Sequence, residues 1–332
     1  RTMMNPYRVI TALLLLSQAA LLLSLFLGST PLPLHRIFTA LLLQGEAGDQ
    51  IVIWDIRLPR AVTAYLVGAA LGASGAALQG LFRNPLADPG VLGVSAMASL
   101  AATIAIYYEL TLLSSWILPL AAISGAIVAT SILVIANRYA DSVINLLLVG
   151  VAMSSFAAAC MSLLLNLAPN PFSLSDMLNW SLGSVANRSL PDIAFSLPFI
   201  AIGAMCLYRS KHGLGILSLG EEAAAGLGLR SDRHRTLVVT GASIATGAAV
   251  ALAGAIGFVG LIAPHIIRPF VDHNPARLLL PSAMLGGTLL VLADIGVRVI
   301  PSTNELNLGV VAALVGAPIF AWIVISRRGS YV

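Results

Sequence analysis

Apolar residues run along this chain in long blocks, broken by short polar or proline-containing punctuation. Ten blocks stand out, at 9–28, 61–81, 91–108, 113–136, 143–167, 192–208, 236–256, 257–267, 278–300 and 306–325. A helix needs about 20 apolar residues to cross the hydrocarbon core of a bilayer, so the pattern predicts an all-α polytopic membrane protein of about ten transmembrane helices. Nearly the whole chain, residues 1–332, is then one bundle and one transmembrane domain. The block at 257–267 is too short to cross alone. Short segments at membrane depth are tolerated only where protein or a water-filled cavity surrounds them, which places this one inside the bundle.

The punctuation has its own content. In 84-NPLADPG-90 two prolines and a closing glycine forbid a continuing helix and predict a tight turn. In 263-APHIIRP-269 the same logic ends the short eighth block, and His265 there is expected to be satisfied by a backbone carbonyl at a helix end. The stretch 219-LGEEAAAGLGL-229 reads as a short helix, acidic at its start and closed by glycine, with Arg230, Arg233 and Arg235 behind it. So short a helix does not hold itself together in water. It either docks against something or is a solvated loop helix capped by its own acids. The segment 168–189 reads as a loop on the outer side, where Met177 and Trp180 are candidates to meet a flat ligand, although interfacial anchoring is the default role of Trp180.

Composition agrees with the pattern: 58% of residues are hydrophobic, 10% are charged and the mean hydropathy is +0.93. Such values exclude an ordinary soluble domain. The net charge of +4 does not point to nucleic acid, because no basic run exceeds two adjacent residues. The charges are topological. With the N-terminus in the cytoplasm, 13 of the 18 basic residues fall inside, and five (Arg36, Arg57, Arg60, Arg188, Arg298) fall outside. That bias puts both termini in the cytoplasm and requires an even number of spans. Arg1 and Arg8 precede an apolar run too long for a signal peptide, so 9–28 is expected to be a retained first span. Cys160 and Cys206 lie in apolar runs and read as small hydrophobes. Two glycine- and alanine-rich stretches, 68-GAALGASGAALQG-80 and 241-GASIATGAAVALAGAIGFVG-260, resemble each other and begin from opposite sides of the membrane. Small residues at three- and four-residue spacing allow close helix approach, and the opposed directions hint at inverted repeats of the kind found in transporters.

Candidate chemistry is sparse. No phosphate-binding G-x-x-x-x-G-K-[ST] loop occurs, and Lys211 is the single lysine, so this chain is not expected to hydrolyse ATP. Neither H-E-x-x-H, nor G-x-S-x-G, nor a cluster of metal ligands is present in the sequence, which leaves an intramembrane enzyme without an acid, base or nucleophile and predicts no bound metal or cofactor. Asp294 precedes Arg298 by four residues, a spacing suited to a local salt bridge. The scarcity of ionisable groups within the blocks argues against the alternative function, an ion-coupled secondary transporter working without an ATPase. Small and apolar residues at 151-VAMSSFAAAC-160 fit a wide conduit that does not grip its cargo.

Six pieces, in order, resemble the FecCD family, the membrane subunits of ABC importers for iron chelates, haem and cobalamin. They are 56-IRLPR-60, 66-LVGAALGASGAALQGLFRNPLADPGVLGVS-95, 219-LGEEAAAGLGL-229, 252-LAGAIGFVGLIAPHIIR-268, 292-LADIGVR-298 and 308-LGVVAALVGAPIFAWIV-324. The resemblance implies ten helices per subunit in the inverted-repeat-like type II ABC importer fold, sited in the bacterial inner membrane. It also implies a homodimer, two cytoplasmic ATPase subunits that bind ATP and magnesium, and a periplasmic or extracellular substrate-binding protein. Within a cytoplasmic segment 209–235, Gly220, Glu221, Glu222, Ala223, Gly226, Leu227 and Gly228 match the family's ATPase-coupling helices, with the acids at the N-terminal turn and Gly226 and Gly228 permitting the turn that follows. Arg57, Arg60 and Arg298 match positions that dock the binding protein, where guanidiniums pair with carboxylates. The cytoplasmic gate falls in 141-DSVIN-145, at Ser142, Val143 and Ile144. Cobalamin importers resemble each other in having small hydroxyl residues there; Val143 and Ile144 depart from that and point to a hydrophobic constriction. The implied cargo is a metal chelate, with ferric siderophore or haem ranked ahead of cobalamin and oxyanions last.

Overall fold

The computed structural model describes residues 6–28, 30–139, 143–300 and 306–326, and no strand occurs among them. In order the chain forms α1 (Pro6–Phe26), α2 (Leu34–Leu41), α3 (Ala47–Ile51), a π-helical stretch (Val52–Arg57) that runs on into α4 (Leu58–Phe82), and α5 (Val94–Tyr107). There follow α6 (Ile117–Tyr139), α7 (Val143–Asn166), α8 (Pro171–Leu182), α9 (Leu190–Leu217) and α10 (Glu221–Gly226). The last four are α11 (Ser231–Ala253), α12 (Val259–Ile267), α13 (Pro275–Val299) and α14 (Leu308–Ser326). Every apolar block expected from the sequence coincides with a helix. Among the described residues, seven helical stretches are long and apolar enough to cross a membrane, and α5, α12 and α14 carry shorter apolar stretches.

Burial orders the bundle. In α4, α11 and α13, 72%, 78% and 72% of the most apolar stretch is buried, against 22% in α7. The first three form the centre because their small residues let backbones meet. A Cβ on Gly68 would stand 2.2 Å from the Gly286 carbonyl oxygen of α13, and one on Gly75 would stand 1.8 Å from that of Gly260 in α12. No side chain fits at such distances, and in lipid this close van der Waals packing is a main source of helix association. The two Gly/Ala-rich stretches fall on α4 and α11, which pack together; Ser74 Oγ donates to Ala242 O at 3.3 Å. They run in opposite directions, since α4 ends and α11 begins at the same end of the bundle, as described below.

The short eighth block lies where it was expected. It forms α12 after a non-helical link in which Gly254 and Phe258 take φ of 70° and 68°, and most of its side chains are buried. His265 stands in the last turn of α12, the helix end expected for it, and its buried ring meets Phe320 edge to face, with centroids 6.5 Å apart. Three expectations are corrected. The segment 168–189 is not a plain loop, because Asn170 caps α8 by accepting the Ser173 N–H at 2.8 Å, with Pro171 in the first turn. The helix expected at 192–208 extends to Leu217, so residues 209–217 of the segment 209–235 belong to α9. The helix expected from residue 61 begins at Ala47 through its π-helical stretch. In each case helix continues through polar residues that an apolar count ignores.

The 28 residues of α9 span about 42 Å, which separates two ends of the bundle. One end carries α10, the C-terminus of α4 and the N-termini of α11 and α13; Gly80 faces Leu214 and Pro275 there. The other carries the C-termini of α1, α11 and α13 and the start of α9, with Ser184 N donating to Ala253 O at 2.7 Å.

Candidate functional site

At the first end, α10 is set by its flanks. Gly220 enters it with φ of 106°, a conformation barred to side chains by steric clash, and Gly228 leaves it with φ of 83°. Leu229 N–H reaches back to Ala224 O and Gly228 N–H to Ala225 O, closing the C-terminus. Ala224 is the one fully buried residue of the six. Gly226 needs no glycine for its own backbone: its φ is not positive and a Cβ there meets nothing within 4 Å, so the expected role in the turn falls to Gly228 alone. Ala223 and Leu227, four residues apart, share one face, and Leu219 and Leu227 are 66% and 64% exposed. A six-residue helix flanked by two exposed leucines leaves apolar surface uncovered by this chain.

The two acids divide. Glu221 forms a salt bridge with Arg235 at 3.1 Å, and the Arg235 side chain is only 7% exposed. Glu221 therefore neutralises a buried cation of its own chain, while Glu222 is exposed. Next along α11, His234 lies over Gly213 of α9, where a Cβ would stand 2.3 Å from the imidazole. His234 and Arg235 thus fix the α9–α11 corner that carries α10. The sequence placed Arg235 behind the short helix without showing its pairing with Glu221, and gave His234 no role.

At the opposite end the three arginines converge, but none stands free. Arg60 donates to Asp294 Oδ1 from Nε at 2.9 Å and from Nη2 at 2.7 Å, while Arg298 Nε lies 3.1 Å from Oδ2. The i, i+4 pair expected from the sequence is present, with Arg60 as an unforeseen third member. Arg298 also donates to the carbonyls of Ser24 and Leu27, and Arg57, buried, donates to those of Leu25, Phe26 and Thr30. The C-terminus of α1 leaves carbonyls unpaired and carries the negative end of the helix dipole, so guanidiniums suit it. In this chain by itself the arginines are built into the scaffold, and Arg57 does not present an exposed guanidinium.

Of the gate residues, Ser142 lies outside the described residues. Val143 and Ile144 open α7, half-buried and exposed respectively. Met177 and Trp180 are buried on α8, so neither the flat-ligand platform nor the interfacial anchor is observed. Cys160 and Cys206 are half-buried and unpaired.

The comparisons agree with this geometry. The FecCD transport family profile matches residues 13–326. The chain is 37% identical over 322 residues to the uncharacterized ABC transporter permease protein YvrB of Bacillus subtilis, covering 93% of this chain and 91% of that one. It is 36% identical over 333 residues to the vitamin B12 import system permease protein BtuC of Yersinia pseudotuberculosis, covering 99% and 96%. A solved structure described as "an inward-facing conformation" of a "metal-chelate type ABC transporter" superposes with a TM-score of 0.86 at 30% identity, covering 96% of this chain and 99% of that one. PsaBC from Streptococcus pneumoniae shares the fold at a TM-score of 0.57 and 19% identity, covering 82% of this chain and 92% of that one. With the family profile spanning nearly the whole chain and the bundle superposing on a type II importer permease, the chain belongs to the FecCD transport family of ABC importer permeases.

Proposed function

We propose that this chain forms a homodimer in the bacterial inner membrane that imports a cobalt- or iron-containing chelate, driven by two ATPase subunits that bind ATP and magnesium on the α10 side. The carrying observation is α10 itself, a six-residue helix anchored by Ala224 that leaves Leu219, Ala223 and Leu227 uncovered. An ATPase groove that receives this helix completes it. The α10 end also holds Arg83, Arg138, Arg209, Lys211, Arg230, Arg268 and Arg277, the excess of positive charge that marks a cytoplasmic side. A binding protein delivers cargo at the other end, with Arg60 and Arg298 as its docking cations and Asp294 as the carboxylate it must displace or share. Val143 and Ile144 belong to a hydrophobic gate. Among cargoes, the BtuC relatives move cobalamin ahead of ferric siderophore and haem. The poorly buried faces of α7 and α14 accommodate the second copy.

The test is co-purification of the complex from its host, followed by ATPase assay. Leu219→Asp with Leu227→Asp is expected to release the ATPase, and Glu222→Arg to weaken its stimulation by loaded binding protein. Retained, fully stimulated ATPase in the double variant overturns the coupling assignment. Stimulation by a binding protein loaded with cyanocobalamin but not with a ferric chelate decides the cargo.

A further inference from the structure

Helix α2 carries two apolar arcs, and packing on its own chain uses one of them. Ile37 and Ala40 point inward and are buried with Ile53. Leu34, Phe38 and the C-capping Leu42 follow one another at four-residue spacing on an adjoining face, and they are 64%, 56% and 70% exposed. The third arc is polar, with His35, Arg36 and Thr39. Arg36 donates to Asp49 of α3 at 2.6 and 2.9 Å and pairs with Glu46. A helix on a water-facing surface needs only the inward arc.

The position of α2 determines what covers the outer arc. The Phe38 ring meets Phe26, the last residue of α1, edge to face with centroids 5.7 Å apart. Phe26 shares its face of α1 with exposed Leu22 and Leu23, and α1 is a span with only 33% of its most apolar stretch buried. The Phe26 carbonyl also accepts from Arg57, at the start of α4, at 3.2 Å. Phe38 therefore stands at the level where α1 ends and α4 begins, and the outer arc continues the uncovered side of α1. Trp54, whose indole N–H donates to Ala40 O at 3.0 Å, adds the aromatic ring typical of a bilayer surface. The faces assigned above to the second copy are on α7 and α14, whereas α2 packs on α3 and the π-helical stretch, and α1 chiefly on α13. We infer that α2 lies in the bilayer surface at the end opposite α10, with Leu34, Phe38 and Leu42 among the acyl chains and His35, Arg36 and Thr39 toward water. The lipid surface, rather than a folded partner, completes this helix. Because the helical stretch Ala47–Phe82 follows it after residues 42–46, the anchor also sets the depth at which Arg57 and Arg60 stand. The inference does not depend on the cargo or on the ATPase contact.

Site-directed spin labelling of the full chain in lipid nanodiscs tests this. In a background of Cys160→Ala and Cys206→Ala, the single variants Leu34→Cys, Phe38→Cys and Leu42→Cys are compared with His35→Cys and Thr39→Cys. The ratio of oxygen to nickel-chelate accessibility is expected to be about fivefold or more higher at the first three positions, because oxygen concentrates among acyl chains and a polar nickel chelate stays in water. The parent chain gives a second reading free of any folding defect in a variant: a membrane-partitioned diazirine should label Leu34, Phe38 and Leu42. Nickel-chelate access at Leu34, Phe38 and Leu42 equal to that at His35 overturns the inference and leaves the face in water. Exclusion of both reagents from those three positions also overturns it, in favour of a second copy of this chain. Absence of diazirine label from residues 34–42 has the same force.

Discussion

Asp294 is fully buried between two guanidiniums, so its loss would strand more charge than it removes. Breaking one partner of a buried ionic network costs about 3–5 kcal/mol, because the remaining charges stay desolvated. Asp294→Asn is therefore expected to lower stability by that order, read as the denaturation midpoint in nanodiscs; an unchanged midpoint would show that the arginines find solvent instead. Asp88 behaves differently. Half-buried in the turn after α4, its carboxyl is pushed up by burial, against the opposing pull of the Gly90 N–H it accepts at 2.8 Å. A value raised on folding contributes stability that is fully present below the unfolded carboxylate range and lost as pH rises through the folded value. Asp88→Asn keeps the acceptor and cannot ionise. It should melt above the parent at neutral pH, with the gap closing on acidification, and a gap that is constant with pH would contradict the assignment.

At the scale of elements, two glycines of similar appearance in the sequence part company. Gly75→Ala drives a methyl into the backbone of α12, where neither side can yield, and overpacking of this kind costs about 1–3 kcal/mol. Gly226→Ala meets only open space in α10 and removes the entropic penalty of a helical glycine, a gain of roughly 0.5–1 kcal/mol within α10. Melting of the two variants in the isolated permease should therefore move in opposite directions. In the assembled transporter, Gly226→Ala should weaken ATPase association if the partner approaches as closely as glycine permits. The same variant then separates what α10 needs from what its partner needs.

For the whole molecule, the contact proposed for α10 rests on exposed Leu219, Ala223 and Leu227 and is chiefly apolar, with exposed Glu222 as its charge. Apolar burial is insensitive to ionic screening, whereas exposed charge pairs are not. High salt is accordingly expected to leave the ATPase attached while reducing the effect of Glu222→Arg, measured by co-elution. Complete dissociation in salt would make the contact electrostatic. Glu221→Arg is a poor probe of the same contact, since it also sets a cation beside buried Arg235 and disturbs the α9–α11 corner.

The apolar blocks by themselves determined the class, the helices and the inside position of α12, because lipid forces each span to satisfy its own backbone and so writes span lengths into the sequence. The ordered motifs pointed to the family, and Gly220, Glu222 and Gly228 were legible as a helix with turns at both ends. Helix continuing through polar residues, as in α8 and at 209–217, was not legible, because its stability comes from caps and neighbours rather than from apolar count. Only the tertiary structure decided which charges are spent inside the chain. Arg57 on the end of α1, Arg60 beside Asp294 across 234 residues of sequence, Arg235 on Glu221, and Arg188 beside Trp180 are arrangements of distance, and distance between helices is set by glycine contacts that a linear pattern does not contain.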